Sequence, residues 1–105
     1  MIDPETITKA VELLRQAAPG AKIILFGSHA RGEAGEDSDL DFLVVEPELA
    51  DRWAEMVRLR DVLRILRVPV DVLVASQEKF EYWADTPGHV YYEAAREGRA
   101  FDAVA

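Results

Sequence analysis

A Gly-Ser pair and a set of aspartates are the residues of this chain whose types and spacing suggest chemistry. Gly27 and Ser28 directly follow an apolar run that ends at Phe26, and ten residues separate Ser28 from Asp39. Glycine lets the backbone turn sharply and lets a ligand approach it closely. Ser28 offers a hydroxyl and a backbone N–H group, and a helical turn after it would favour a bound phosphate. The pair therefore indicates a phosphate-binding loop.

The aspartates have the spacing of a metal site. Asp39 and Asp41 lie two apart on a predicted strand, so their side chains share one face with backbone positions about 6.5 Å apart. Asp71 is the only acidic residue inside the next predicted strand, and it joins the same patch if the two strands are neighbours. Three converging carboxylates repel by about 4 kcal/mol per close pair at an effective dielectric of about 20. A hard cation such as Mg²⁺ would relieve that repulsion, and nucleotidyl transfer commonly uses two such ions about 4 Å apart.

Arg31 lies one turn beyond Ser28, and its guanidinium fork matches phosphate oxygens. Each of these signals alone has a plain alternative, because a single Asp-x-Asp is usually a solvated turn or strand end. Their conjunction is hard to obtain by chance. The combined pattern therefore favours metal-dependent phosphate chemistry.

The surrounding sequence predicts the elements that position these residues. Helices are predicted after the Asp3-Pro4-Glu5 start up to Pro19-Gly20, over 49–66, from Ser76 or Gln77 onward, and over 89–97 with Gly98 as its cap. Strands are predicted over 22–26, 40–45 and 68–74, with a loop over 27–38 that contains one helical turn. This order predicts an α/β (α+β) fold with a small mixed sheet of three or more strands covered by helices.

The second half of the chain carries residues with more than one interpretation. The predicted long helix carries Trp53, Met56, Val57, Leu63 and Leu66 on one side. Arg60, Arg64 and Arg67 share a face that is expected to be solvated with local acidic partners, with a partner or RNA patch as the alternative. Some of the six aromatics here are expected to cover a partner surface: Trp53, Phe80, Tyr82, Trp83, Tyr91 and Tyr92. His89 is expected to start or cap the last helix, and His29 either faces solvent or touches a nucleotide.

Composition excludes several classes of function. The 105 residues suit a single domain over 1–105. The formal charge of −8 argues against direct binding of DNA or other nucleic acid. The absence of cysteine excludes thiol chemistry, disulfides and Cys-ligated zinc. The start at Met1 has no basic, apolar signal-peptide pattern, and no apolar run of about 18 residues exists. We therefore expect a soluble cytoplasmic protein with no membrane span.

These motifs resemble a known family. Gly27-Ser28, ten intervening residues and Asp39-x-Asp41 are similar to the signature of the nucleotidyltransferase fold related to DNA polymerase β. The fuller pattern, Gly-Ser-x-Ala-Arg-Gly followed by Ser-Asp-Leu-Asp, resembles the minimal nucleotidyltransferases (MNT) of prokaryotes, which include the MntA-like antitoxins of HEPN/MNT systems. The stretch from Glu93 to Gly98 also resembles the closing helix of that family.

The resemblance implies roles for the residues already singled out. Asp39 and Asp41 would bind both Mg²⁺ ions, and Asp71 would bind the catalytic ion and help activate the acceptor hydroxyl. Gly27-Ser28 would hold the triphosphate of ATP with help from Arg31. The reaction would be in-line attack of a hydroxyl on the α-phosphate of ATP, with release of pyrophosphate.

The resemblance also implies a partner. The chain would transfer AMP to a tyrosine of a helical HEPN toxin, as a type VII-like antitoxin in a hetero-oligomer. Two alternatives remain open from the sequence: a noncatalytic antitoxin that neutralises its partner by contact, and a nucleotidyltransferase that acts on a small molecule. The sequence leaves the acceptor and the preferred base undetermined.

Overall fold

The computed structural model describes residues 2–35 and 38–101. Outside the described residues lie Met1 and residues 102–105, which belong to the predicted 1–105 domain, and also Glu36 and Asp37, which belong to the predicted loop. The helices are α1 (Pro4–Ala17), α2 (Ser28–Arg31), α3 (Arg52–Val62), α4 (Gln77–Trp83) and α5 (Val90–Glu97). The strands are β1 (Lys22–Phe26), β2 (Leu40–Glu46), β3 (Val70–Ser76) and β4 (Arg99–Phe101), and a 3₁₀ turn (Leu63–Leu66) follows α3.

The strands form one mixed sheet in the order β3-β2-β1-β4. β1 is antiparallel to both β2 and β4, whereas β2 and β3 are parallel. This confirms the predicted mixed sheet covered by helices. β4 was not predicted, because three residues are too few to show an alternating pattern and its pairing with β1 is made through the backbone.

Each face of the sheet packs against its own helices. One face supplies Phe42, Val44 and Val72 to a core shared with α1 and α3. The other face supplies Leu43, Val45 and Ala75, which pack against Tyr91 and Ala94 of α5. Asp41 belongs to this second face because side chains alternate along a strand. The sheet therefore presents its aspartates on the α5 side.

Local capping decides where the helices begin. Asp3 accepts a hydrogen bond from the N–H of Glu5, and His89 Nδ1 accepts one from Tyr91, which confirms both predicted helix starts. The long helix begins at Arg52 rather than at 49, because the carboxylate of Asp51 accepts a hydrogen bond from the N–H of Ala54. Of the helices that the structure describes, none is long and apolar enough to cross a membrane.

The apolar side predicted for the long helix is buried only in part. Met56 and Leu63 are buried, whereas Trp53 is 71% exposed and Val57 is 55% exposed. Leu59 lies in the core instead. Apolar residues occupy two neighbouring stripes of this helix, so helical spacing alone could not choose which stripe faces the sheet.

A carboxylate pair at the far end of β2 makes stability depend on pH. Glu46 lies beside Glu55 of α3, whose oxygens accept hydrogen bonds of 2.6 and 2.9 Å from Arg58. The pKa of Glu46 is raised from 4.5 to about 7, first by burial and then by the hydrogen bond and the negative charge of Glu55. The folded protein therefore holds a proton that the unfolded chain releases, and stability falls as pH rises from 4.5 through about 7.

Glu46→Gln should remove this pH dependence, because glutamine has no proton to lose. We expect the wild type to lose about 1 to 2 kcal/mol relative to the variant between pH 5 and pH 8, since water reaches part of the pair and screens it. Urea unfolding at both pH values measures the difference. The exposed neighbour Glu48→Gln is the control, and an unchanged gap between wild type and Glu46→Gln would contradict the prediction.

Candidate active site

Two of the predicted metal ligands are paired across neighbouring strands. Asp41 lies opposite Asp71 in the parallel β2–β3 register and opposite Phe26 in the antiparallel β1–β2 register. The end of β1, with Gly27 after it, therefore meets the beginnings of β2 and β3 at one edge of the sheet. The structure brings Asp41, Asp71 and the Gly27-Ser28 turn to this edge.

Asp39 completes the acidic patch electrostatically. It directly precedes β2 and is exposed, whereas Asp41 is half-buried. The pKa of Asp41 is raised, first by burial and then by the negative charges of Asp71 and Asp39. The three aspartates are therefore close enough to repel one another. Among residues 2–35 and 38–101, however, no three acidic or histidine side chains converge closely enough to hold a metal ion.

The Gly27 turn is fitted closely around Asp41. Gly27 has a φ of +76°, and a Cβ atom there would collide with Oδ2 of Asp41 and lie 3.2 Å from its Cγ. Its carbonyl accepts hydrogen bonds from Ala30 and Arg31, which forms the helical turn predicted after Ser28. A glycine is therefore required for the carboxylate to lie against the turn.

Ser28 and His29 begin the short helix α2, and both are half-buried. His29 Nε2 lies 3.3 Å from the carbonyl oxygen of Ser38, so the ring connects the two ends of the predicted loop. Its charge lowers the pKa of Asp41 and so opposes the effect of the other aspartates. His29 is thus not fully solvated, and its ring lies close enough to Asp41 to affect the pKa of that carboxyl.

Arg31 does not lie free beside the aspartates. Its guanidinium contacts Glu33 at 3.1 Å, Glu93 at 3.1 Å and Glu97 at 3.5 Å. Two of these carboxylates belong to α5, so the arginine holds α2 against that helix. A phosphate bound by Arg31 would have to compete with them.

Arg60 is a site residue that the sequence did not reveal. Its Nη2 donates a hydrogen bond of 3.0 Å to Oδ1 of Asp71, although only local acidic partners were expected for it. Arg64 does have the expected local partner, Asp61, at 3.2 Å. Arg60 comes from α3, which packs on the opposite face of the sheet, so its reach to Asp71 depends on tertiary packing.

The donor set suits a hard divalent cation. Asp39, Asp41 and Asp71 offer carboxylate oxygens, which are the ligands that Mg²⁺ prefers in proteins. Burial raises the pKa of Asp41 first, and the negative charges of Asp71 and Asp39 raise it further; a cation would offset those charges. Asp71 would exchange its bond with Arg60 for the ion.

Comparisons with known proteins identify the family of this chain. The family model described as "Nucleotidyltransferase domain" matches residues 7–99. The "Putative protein adenylyltransferase" of Methanocaldococcus jannaschii is 34% identical over 80 residues, covering 69% of this chain and 92% of that protein.

Solved structures share the fold. A toxin-antitoxin complex with AMP-PNP contains a chain that is 21% identical, with a TM-score of 0.57, 98% of this chain covered and 75% of that one. A complex of tri-AMPylated Shewanella oneidensis HEPN toxin with MNT antitoxin gives 20% identity, a TM-score of 0.52 and coverage of 95% and 71%. These likenesses confirm the predicted fold, and the family match confirms the resemblance noted in the motifs. The chain belongs to the nucleotidyltransferase domain family of enzymes.

Proposed function

We propose that this protein is a Mg²⁺-dependent nucleotidyltransferase that transfers AMP from ATP to a hydroxyl group. The observation that carries the proposal is the meeting of Asp41, Asp71 and the Gly27 turn at one edge of the sheet. Asp39 adds its charge to the same patch. This arrangement supports a site in which a phosphate-binding loop lies beside the metal ligands.

The chain's own residues would position and deprotonate the reactants. Asp39, Asp41 and Asp71 would hold Mg²⁺, which would supply positive charge next to the transferred phosphate. Gly27-Ser28 would bind phosphate oxygens through backbone N–H groups and the hydroxyl. The acceptor oxygen would bond to the α-phosphorus as the bond to pyrophosphate breaks, and Asp71 would take the hydroxyl proton.

We infer that the acceptor is a tyrosine of a helical HEPN-type protein. Support comes from the relative named as a protein adenylyltransferase and from the structural neighbour whose toxin is AMPylated. Asp71 lies on the edge strand β3 with 51% of its side chain exposed, so a side chain of another protein can reach it. The two proteins would form a hetero-oligomer in the cytoplasm, where ATP is supplied.

The test is label transfer to the protein encoded by the neighbouring gene. With Mg²⁺, we expect label from α-labelled ATP on a tyrosine of that protein, and no label from γ-labelled ATP. Chelation by EDTA should stop the transfer and added Mg²⁺ should restore it. Absence of α-label on the partner, or transfer that survives Asp39→Asn with Asp41→Asn, would refute the proposal. Turnover of a free small hydroxyl compound without any protein would instead indicate a small-molecule enzyme.

A noncatalytic antitoxin is the second candidate. The observation that favours it is the exposure of large aromatics, since Trp53 and Tyr82 are each 71% exposed. Such residues are enriched where proteins contact partners. This function predicts that the Asp39→Asn, Asp41→Asn double variant still neutralises the partner in cells, whereas the catalytic function predicts that it does not.

A further inference from the structure

A cavity of about 480 Å³ lies at the far end of β3, and the aspartates lie at the beginning of that strand. Ser76, in its wall, is five residues along β3 from Asp71, which corresponds to about 16 Å. The cavity is therefore a separate place from the candidate active site. Its volume falls within the range of small-molecule sites.

Two cations line the cavity. Arg52 Nε donates a hydrogen bond of 2.9 Å to the carbonyl oxygen of Val74, which fixes the side chain while leaving its terminal nitrogens available. Within the described part of the chain, neither Arg52 nor Lys79 forms an ion pair, and no acidic residue lines this cavity. Four carboxylates, those of Glu46, Glu48, Asp51 and Glu55, line an adjoining hollow instead. An anion therefore finds two positive charges here that form no ion pair within the described residues, on a chain whose net charge is −8.

The rest of the wall is aromatic and held rigidly. The rings of Trp83 and His89 stack with centroids 5.0 Å apart and planes at 10°, and the ring of Tyr91 meets that of His89 edge-on at 4.6 Å. The hydrogen bond from the Tyr91 N–H to His89 Nδ1 fixes the orientation of the middle ring. Leu49 and Ala75 add apolar surface. Such a wall favours a flat, apolar body.

We propose that this cavity is a second ligand site, which binds a small molecule that carries an anionic group on a planar ring. The ring packs against the wall of Trp83, His89 and Tyr91, and the phosphate or carboxylate lies between Arg52 and Lys79. A nucleoside monophosphate and an aromatic carboxylate share this chemistry. The site does not depend on the proposed AMP transfer, because it contains none of the aspartates.

The chain offers its own probe, because Trp53 and Trp83 are its two tryptophans. Trp53 does not line the cavity and is 71% exposed, so Trp53→Phe leaves Trp83 as the sole reporter with little change to the fold. Fluorescence is titrated without Mg²⁺ on a background of Asp39→Asn and Asp41→Asn, which removes two of the three carboxylate charges of the candidate active site. The probes are AMP, benzoate, uncharged adenosine and inorganic phosphate.

We expect saturable quenching of Trp83 fluorescence by AMP or by benzoate. Adenosine, which lacks the anionic group, and inorganic phosphate, which lacks the planar ring, should bind at least about tenfold more weakly. AMP alone would identify a nucleotide ligand, benzoate alone an aromatic acid, and both outcomes support the site. Lys79→Gln should weaken binding by about tenfold or more, as expected for loss of a charged contact. Arg64→Gln, on an arginine outside the cavity, should leave binding unchanged.

Lys79→Gln is the decisive variant. Among the described residues the side-chain amine of Lys79 makes no hydrogen bond, so the substitution removes no bond that stabilises the fold. Arg52→Gln is the second variant, with circular dichroism to check that loss of the bond to Val74 leaves the fold intact. No saturable change at up to about 10 mM of either ring compound, or equal affinity in wild type and Lys79→Gln, overturns the proposal.

Discussion

Asp41→Asn is expected to lower the rate of AMP transfer by at least about a thousandfold, which corresponds to about 4 kcal/mol of transition-state stabilisation. Asp41 is the central carboxylate of the patch, because its pKa is raised first by burial and then by the charges of both Asp71 and Asp39. Asparagine keeps the shape of the side chain but removes the charge that a divalent cation needs. Single-turnover transfer of label from α-labelled ATP to excess partner measures the loss.

The fold should survive this substitution. Removing one of several repelling charges relieves repulsion, so we expect the melting temperature to stay level or to rise slightly. Asp61→Asn is the matched control, because Asp61 is an exposed carboxylate whose partner, Arg64, lies on the same helix surface. The proposed role of Asp41 would be contradicted if Asp41→Asn kept more than about a tenth of the wild-type activity, since a loss of about a thousandfold is expected.

Gly27→Ala is expected to reduce transfer by at least about a hundredfold, because the new methyl group would displace the carboxylate of Asp41 from its position. A Cβ atom at Gly27 would collide with Asp41, whereas one at Gly32 would have nothing within 4 Å. Gly32, with a φ of 74° and a ψ of 20°, lies in the left-handed helical region, where alanine costs about 1 kcal/mol. Gly27, with a φ of 76° and a ψ of −157°, has a conformation that is essentially restricted to glycine. Gly27→Ala therefore adds both greater backbone strain and the collision.

Gly32→Ala is the control for an alanine at a positive φ in the same loop without a neighbour to displace. We expect it to lose about 1 kcal/mol of stability from backbone strain and to keep activity within a few-fold of wild type. Urea unfolding and the transfer assay on both variants provide the comparison. Equal activity losses in the two variants would contradict a specific role for the Gly27 turn beside Asp41.

The local features of the chain were predictable because they depend on neighbours in sequence. Caps at Asp3 and His89 were recognisable because a capping side chain binds an N–H only two or three residues away. β1 was predicted with its observed bounds, since a short apolar run between turn residues suffices to indicate a buried strand. The start of α3 was missed by three residues because two acidic positions, Glu48 and Asp51, both precede it and only Asp51 caps it.

The sequence by itself determined the family and the fold class, because motif spacing and strand periodicity are properties of the chain alone. The shared face of Asp39 and Asp41 stays a prediction, because Asp39 directly precedes β2. Only the tertiary structure decided which contacts the site residues make. Asp41 lies beside Asp71 because β2 and β3 pair in one register out of several that their apolar patterns would allow.

The same reason explains the two arginines. Arg60 reaches Asp71 from a helix on the other face, and Arg31 binds Glu93, which is 62 residues away in sequence. Contacts of this kind depend on how helices pack on the sheet, and no periodicity in the chain encodes them. The pattern could therefore name the aspartates and the Gly-Ser turn, whereas packing alone assigned a partner to each charge around them.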